Sequence, residues 1–206
     1  MSIVKYPIAP NGVFWSLQGE GHLRGFQMAF VRLAGCSVNC SGCDTDYSVH
    51  ERLSVREILA RVLHVVPAGF RDQWVWITGG EPCDHDLGPL LRGLKRAGYS
   101  TAVATSGKHR LIVPVDWLSV SPHGGSPLSQ RYGNEVKLVE GLNGLDLDVW
   151  LAEYPDEETD YFYRYVQPLW SNGGECPGSM DRCLRFLRAH PNWSMSRQDH
   201  KLWDVD

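Results

Sequence analysis

No apolar stretch in these 206 residues is long enough to span a bilayer. The opening run Met1-Ser2-Ile3-Val4-Lys5-Tyr6-Pro7 lacks the hydrophobic core of a signal peptide. A cytoplasmic protein is therefore expected. Positive charge is not in excess either: 20 Lys and Arg stand against 24 Asp and Glu, a formal net charge of −4. That balance gives no general attraction to nucleic acid or to an anionic membrane surface. Repeats and low-complexity tracts are missing. The length fits one domain over residues 1–206. In a reducing compartment the six cysteines favour metal ligation over disulfides.

Strand-like and helix-like segments alternate along the chain. Residues 27–33, 74–77, 100–104, 117–120, 135–139 and 161–166 read as six strands. Ser54 with Glu57 three residues on forms a capping box that opens a helix. Leu87, Leu90, Leu91 and Leu94 mark another, and Gly98 is a suitable stop. A last helix is expected from about Met180 to Arg188, after a Gly-rich loop at 172–178. The stretch 105–116 holds Pro114 and is short for a helix. Strands alternating with helices imply a parallel sheet with right-handed crossovers. Six strands fall short of eight units, so the expected fold is α/β, a partial (β/α) barrel of about six parallel strands. In such folds the polar and glycine positions that follow each strand gather at one rim.

The densest chemical signal is Cys36-Ser37-Val38-Asn39-Cys40-Ser41-Gly42-Cys43-Asp44, three thiols at CxxxCxxC spacing just after the first strand. Thiolates suit zinc or iron–sulfur clusters, and both normally take four protein ligands. A compact set of three leaves one position open for a small molecule. A zinc knuckle is the plainer reading. Cys83, Cys176 and Cys183 lie outside the run and form no compact set, so free thiols are expected there; completing a cluster is the alternative. Thr78-Gly79-Gly80-Glu81-Pro82 follows the second strand. Its glycines allow close backbone approach to a ligand, or merely make a tight turn. The run Phe14-Trp15-Ser16-Leu17-Gln18-Gly19-Glu20-Gly21 is polar where a lead-in strand would suffice. Gln18 both donates and accepts, and Glu20 suits paired N–H groups of a guanidine-like heterocycle edge. A hairpin turn with a solvated Glu is the plain alternative. Arg32 presents a planar fork for a carboxylate, or pairs with a structural carboxylate.

CxxxCxxC followed by Gly-Gly-Glu-Pro resembles the signature of radical S-adenosylmethionine (SAM) enzymes. More specifically, Ser16–Gly21, Arg32–Cys36, Cys43-Asp44-Thr45 and Thr78–Pro82 resemble the 7-carboxy-7-deazaguanine synthases, a family of deazapurine and queuosine precursor biosynthesis. The likeness runs on through Gln167-Pro168-Leu169 and Ser194–Lys201, in the family's order. It implies a radical SAM lyase that converts 6-carboxy-5,6,7,8-tetrahydropterin to 7-carboxy-7-deazaguanine with loss of ammonia. A 5′-deoxyadenosyl radical would abstract hydrogen and start the ring contraction.

By the same resemblance, Cys36, Cys40 and Cys43 hold a [4Fe–4S] cluster, and Thr45 contacts Mg²⁺. Gly42, Asp44, Gly80 and Ser121 contact SAM, with His123 standing where the family often has lysine. Leu17, Gln18, Gly19, Arg32 and Thr78 bind substrate, and Glu20, whose carboxylate suits the N–H edge of a pterin, and Gln167 are expected to join them. The implied partners are the pterin, a reductant such as flavodoxin or ferredoxin, and a second copy in a homodimer. A radical SAM activating enzyme working on a protein partner is the alternative function.

Overall fold

The computed structural model describes residues 4–40, 43, 45–70, 73–171 and 173–205. In chain order its elements are β1 (Lys5–Leu17), β2 (Gln27–Leu33), β3 (Glu51–Ser54), α1 (Val55–Val65), β4 (Trp74–Gly79), α2 (Gly88–Arg96), β5 (Ser100–Thr105), β6 (Trp117–Val120), β7 (Tyr132–Glu140), α3 (Leu147–Glu153), β8 (Asp160–Pro168), β9 (Trp170–Ser171), β10 (Gly174–Glu175), α4 (Pro177–Ala189), β11 (Ser194–Met195) and α5 (Asp199–Trp203). β9 and β10 make a small hairpin. The other strands form one sheet in the order β11-β8-β7-β6-β5-β4-β2-β1-β3.

All six expected strands are present and lie side by side in parallel, from β2 through β4, β5, β6 and β7 to β8. The sheet is larger than expected. β11 adds a parallel edge beyond β8, while β1 pairs antiparallel with both β2 and β3. Among the described residues β3 and β11 are the two ends of the sheet and do not pair with each other. The fold is thus a mixed α/β architecture around a large, mainly parallel sheet.

Local chemistry explains the helix boundaries. The Ser54 hydroxyl accepts from the Glu57 amide at 3.4 Å, and the Glu57 carboxylate accepts from the Ser54 amide at 2.7 Å, closing the capping box of α1. Gly98 follows α2 at φ +88°, a left-handed stop that costs glycine little. Residues 106–116 form no regular helix, in keeping with Pro114. Two expectations need correction. The last long helix begins at Pro177, not near Met180, because proline fits the first turn, where no amide partner is needed. Part of 172–178 is not loop: β10 and the start of α4 lie within it.

The two faces of the sheet carry different cores. Val31, Ile77, Val103, Leu118, Val136 and Leu138 pack on one face with helical residues such as Ile58, Leu90, Leu94, Trp150 and Phe186. The opposite face shows a gradient along each strand. Bulky residues come first: Met28 and Phe30 on β2, Trp74 and Trp76 on β4, Trp117 on β6. Two residues further on, the same face carries Arg32, Thr78 and Ser119, and β6 runs on into Ser121. The N-terminal ends of the strands are therefore filled and the C-terminal ends left hollow.

Candidate functional site

A cavity of about 630 Å³ occupies that hollow. Strand register sets its walls. Arg32 lies opposite Thr78, Ala104 opposite Ser119, Ser119 opposite Glu135, and Val139 opposite Gln167. Leu17, Gln18, Gly19, Glu20, Arg32, Thr78 and Gln167 all line the cavity, as do Cys36, Cys40, Cys43, Thr45, Gly80, Ser121 and His123. Gly42 and Asp44 fall outside the described residues. Cys83, Cys176 and Cys183 are not in the lining. Burial pushes the thiols of Cys83 and Cys183 up to about 12, which suits inert, protonated side chains.

The cysteine loop leaves β2 at Ala34 and is closed at its base by the Gly35 amide donating to the Tyr47 carbonyl at 2.9 Å. From outside, the Ser37 amide and hydroxyl each donate to Asp84 at 2.7 Å, and the Lys108 ammonium donates to the Ser37 carbonyl at 2.8 Å. Among the described residues no three Cys, His, Asp or Glu side chains are already gathered into a metal set. The thiols do sense one another: burial, then Cys36 and Cys43, push the Cys40 thiol up to about 11. Thiolates crowded this way are stabilised by a cationic centre. The soft donors, their common cavity and their mutual repulsion fit a cluster. His123 Nδ1 lies 2.7 Å from Cys40 Sγ, and burial pulls this imidazole downward, so it is a neutral group.

The Gly-Gly-Glu-Pro turn packs directly on this loop. Gly80 donates to the Leu33 carbonyl at 2.9 Å and Glu81 to that of Gly35 at 3.0 Å. A Cβ at Gly80 would sit 1.8 Å from the Gly35 oxygen, so only glycine allows the approach. Glu81 is 1% exposed. One carboxylate oxygen accepts from the Cys83 amide at 2.9 Å and the Thr105 hydroxyl at 2.7 Å. The other accepts from the Ser106 amide at 2.8 Å and from the Ser106 hydroxyl. This side chain clamps the end of β4 to the end of β5.

The opposite wall is the Gln18–His22 turn, fastened to β7. The His22 amide donates to Glu135 at 2.8 Å, and the Ser119 hydroxyl to the same carboxylate at 2.6 Å. Glu20 forms an ion pair with Lys137, and the Gln167 amide donates to Glu20 at 3.3 Å. Gly21 sits at φ +67°, and a Cβ there would lie 2.5 Å from the Glu135 carboxylate. The chain end secures the turn: Gly21 donates to Ser196 Oγ at 3.0 Å, and Asp199 donates to the Gly19 carbonyl at 3.0 Å. Arg32 lies over the Phe14 ring, 4.6 Å from its centroid.

The chain is similar to known enzymes along nearly its whole length. It is 34% identical to the 7-carboxy-7-deazaguanine synthase of Escherichia coli over 232 aligned residues, covering 98% of this chain and 100% of the relative. The enzyme of that name from Synechocystis is 33% identical, covering 98% and 94%. That from Bacteroides thetaiotaomicron is 32% identical, covering 95% and 97%. The chain belongs to the 7-carboxy-7-deazaguanine synthase family. The crystal structure of QueE from Escherichia coli matches the fold with a TM-score of 0.72 at 30% identity, covering 94% of both chains. No family model matches. These relatives lend no support to the activating-enzyme reading.

Several cavity residues went unsuspected in the sequence. Glu135 and Lys137 passed as ordinary residues of a strand, although two charges alternating with Val136, Leu138 and Val139 were the available signal. Ser119 gave no signal, since a lone serine in an apolar strand is unremarkable. In the chain end, Gln198, His200, Lys201 and Val205 also reach the cavity.

Proposed function

We propose that this protein is a radical SAM lyase that converts 6-carboxy-5,6,7,8-tetrahydropterin to 7-carboxy-7-deazaguanine with loss of ammonia. One observation carries the reading. The thiol loop and glycine turn line a single cavity together with the Gln18, Glu20, Arg32 set, which supports a cofactor and a heterocycle bound in the same space. The reading includes a single domain over 1–206, shaped as a partial (β/α) barrel by its six parallel strands. It also includes a cytoplasmic location, a homodimer and a flavodoxin- or ferredoxin-type reductant.

Cys36, Cys40 and Cys43 would hold three irons of a [4Fe–4S] cluster, leaving the fourth for the amino and carboxylate groups of SAM. When bound, the cluster and SAM supply a hydrogen-abstracting carbon radical. The chain's own task is placement and exclusion of water. Gly80 keeps the turn flush against the cysteine loop, and Gly42, Asp44, Ser121 and His123 complete the SAM contacts. As a neutral imidazole, His123 offers a hydrogen bond rather than a charge. Thr45 supplies one hard oxygen for Mg²⁺, an ion that retains several waters and accepts substrate oxygens. At the other end Arg32, with Thr78 beside it in register, takes the substrate carboxylate. Leu17, Gln18 and Gly19, all in the cavity lining, contact the heterocycle. Glu20 accepts from the N–H edge, and Gln167 holds Glu20 in place.

The test is anaerobic reconstitution with iron and sulfide, followed by incubation with SAM, reductant, Mg²⁺ and the carboxy-tetrahydropterin, with no other protein present. Formation of 7-carboxy-7-deazaguanine is expected by mass spectrometry, and loss of SAM cleavage in a Cys36→Ala/Cys40→Ala/Cys43→Ala variant. A loaded enzyme that cleaves SAM yet leaves the pterin unchanged would overturn the substrate assignment. Full iron content in the triple variant would overturn the cluster assignment.

A further inference from the structure

Lys137 is a buried charged group in the cavity whose presence the roles above do not explain. It sits on the inward face of β7, two residues beyond Glu135, and lines the cavity. Its side chain is only 11% exposed and that of Glu20 only 17%. Burial, and then the nearby Lys201, pull the ammonium downward, and its side chain is ion-paired with Glu20. An ammonium has three N–H donors and no acceptor. Among the described residues its one acceptor is Glu20. Leaving donors of a buried charge unspent is costly unless a ligand completes them. Glu20 is similarly incomplete. One oxygen takes Lys137 and the other Gln167, so lone pairs remain for a ligand.

Side by side, the two side chains present a donor next to an acceptor. The pyrimidine ring of a 2-amino-4-oxo pterin presents the complement: a carbonyl, then a ring N–H, then an amino group. We propose that Lys137 donates to the ring carbonyl while Glu20 accepts from the two N–H groups beside it, making the pair the specificity determinant for the 2-amino-4-oxo edge. This rests on the pterin reading above and adds a residue and a rule to it. The edge lies away from the ring that contracts, so substrate and product share it. The pair can therefore grip the molecule from start to finish without hindering the rearrangement at the far end.

The test uses the full chain, loaded with cluster and SAM, in anaerobic titration calorimetry. Two probes are compared: the carboxy-tetrahydropterin and its 2,4-diamino counterpart, in which the carbonyl becomes an amino group that meets Lys137 donor to donor and the neighbouring ring nitrogen loses the hydrogen that Glu20 would accept. The parent should prefer the 4-oxo probe by at least about 30-fold, as a site built around a hydrogen bond rejects the mismatched group. In Lys137→Met the preference should shrink by about fivefold or more, the remainder being the share of Glu20, and product should bind correspondingly weaker. Lys137→Gln keeps an NH₂ donor group on a stem one bond shorter and should retain part of the preference. It also serves if burial of an unpaired Glu20 keeps the Met variant from folding. A parent that binds neither pterin overturns the substrate reading itself. A parent that binds the 4-oxo probe, with both variants keeping the full preference, overturns the role of Lys137 alone. If the variants instead lose discrimination against a pterin lacking the carboxylate, Lys137 serves that group and the edge assignment is wrong.

Discussion

Replacing Glu81 by Gln isolates the clamp between β4 and β5. The carboxylate receives four donors, two on each oxygen, and is 1% exposed. Glutamine keeps one carbonyl oxygen, which can still serve the Cys83 amide and the Thr105 hydroxyl. Its NH₂ group then faces the Ser106 amide and hydroxyl. The hydroxyl can rotate and accept, but the amide cannot. One buried backbone N–H is left unsatisfied, a cost of about 1–3 kcal/mol, and the bonds that survive lose their charge assistance. The combined loss should be about 2–4 kcal/mol. With a urea m value of about 2–3 kcal/mol/M, the unfolding midpoint should fall by about 1 M at unchanged slope. Because the same side chain anchors the glycine turn, SAM affinity should fall in parallel. Circular dichroism in a urea series, with equilibrium dialysis of SAM on the reconstituted protein, measures both. A midpoint within about 0.2 M of the parent would refute the clamp, since it would mean that the four contacts are replaced without cost.

Three further outcomes are expected. Gly21→Ala must place a side chain at φ +67° and 2.5 Å from a Glu135 carboxylate that is itself fastened to Ser119 and His22. It should lose about 2–4 kcal/mol from left-handed strain and overpacking, read as a lower urea midpoint; a parental midpoint would show that the turn re-forms freely. Thr45→Ala should leave iron and sulfide content unchanged while shifting the Mg²⁺ dependence of turnover to higher concentration; an identical Mg²⁺ titration would remove this hydroxyl from the metal. Arg32→Ala should weaken binding of the carboxy-pterin by well over tenfold, in line with about 2–5 kcal/mol for truncating a buried charge-assisted pair, while SAM binds normally. Tight pterin binding by that variant would make Arg32 a structural residue held over Phe14.

The six parallel strands were legible because each is a short run that includes β-branched or aromatic residues, with turn residues on either side. β1 was not. Its sequence Pro7-Ile8-Ala9-Pro10-Asn11-Gly12 reads as a chain of turns, and Asn11 does take a positive φ of 51°. The register with β2 slips between Ile8 and Val13 to absorb that irregularity. Pairing with β2 on one side and β3 on the other holds these residues extended, a tertiary effect invisible to a local window. α3 escaped notice for a related reason: only seven residues long, it depends on the Asp146 carboxylate, which accepts from the amides of Asp148 and Val149 at 3.0 Å.

The site divides along the same line. The half proposed for the cofactor is written in contiguous motifs, because a loop built to wrap a metal and a turn that grazes a backbone each need their residues close in sequence. The half proposed for the substrate is assembled across distance: His22 meets Glu135 from 113 residues away, and Glu20 meets Gln167 from 147. No motif records such a meeting. A period-2 pattern still foreshadows it. Trp74-Val75-Trp76-Ile77-Thr78 and Trp117-Leu118-Ser119-Val120-Ser121 each run from large to small on one face, while the intervening Val, Ile and Leu stay apolar on the other. Once the strands are known to be parallel, every C-terminal end lies at the same rim. A polar or charged inward residue late in any strand then belongs to the cavity. Applied to β7, that reasoning selects Glu135 and Lys137, the two charges that hold the Gln18–His22 turn in place.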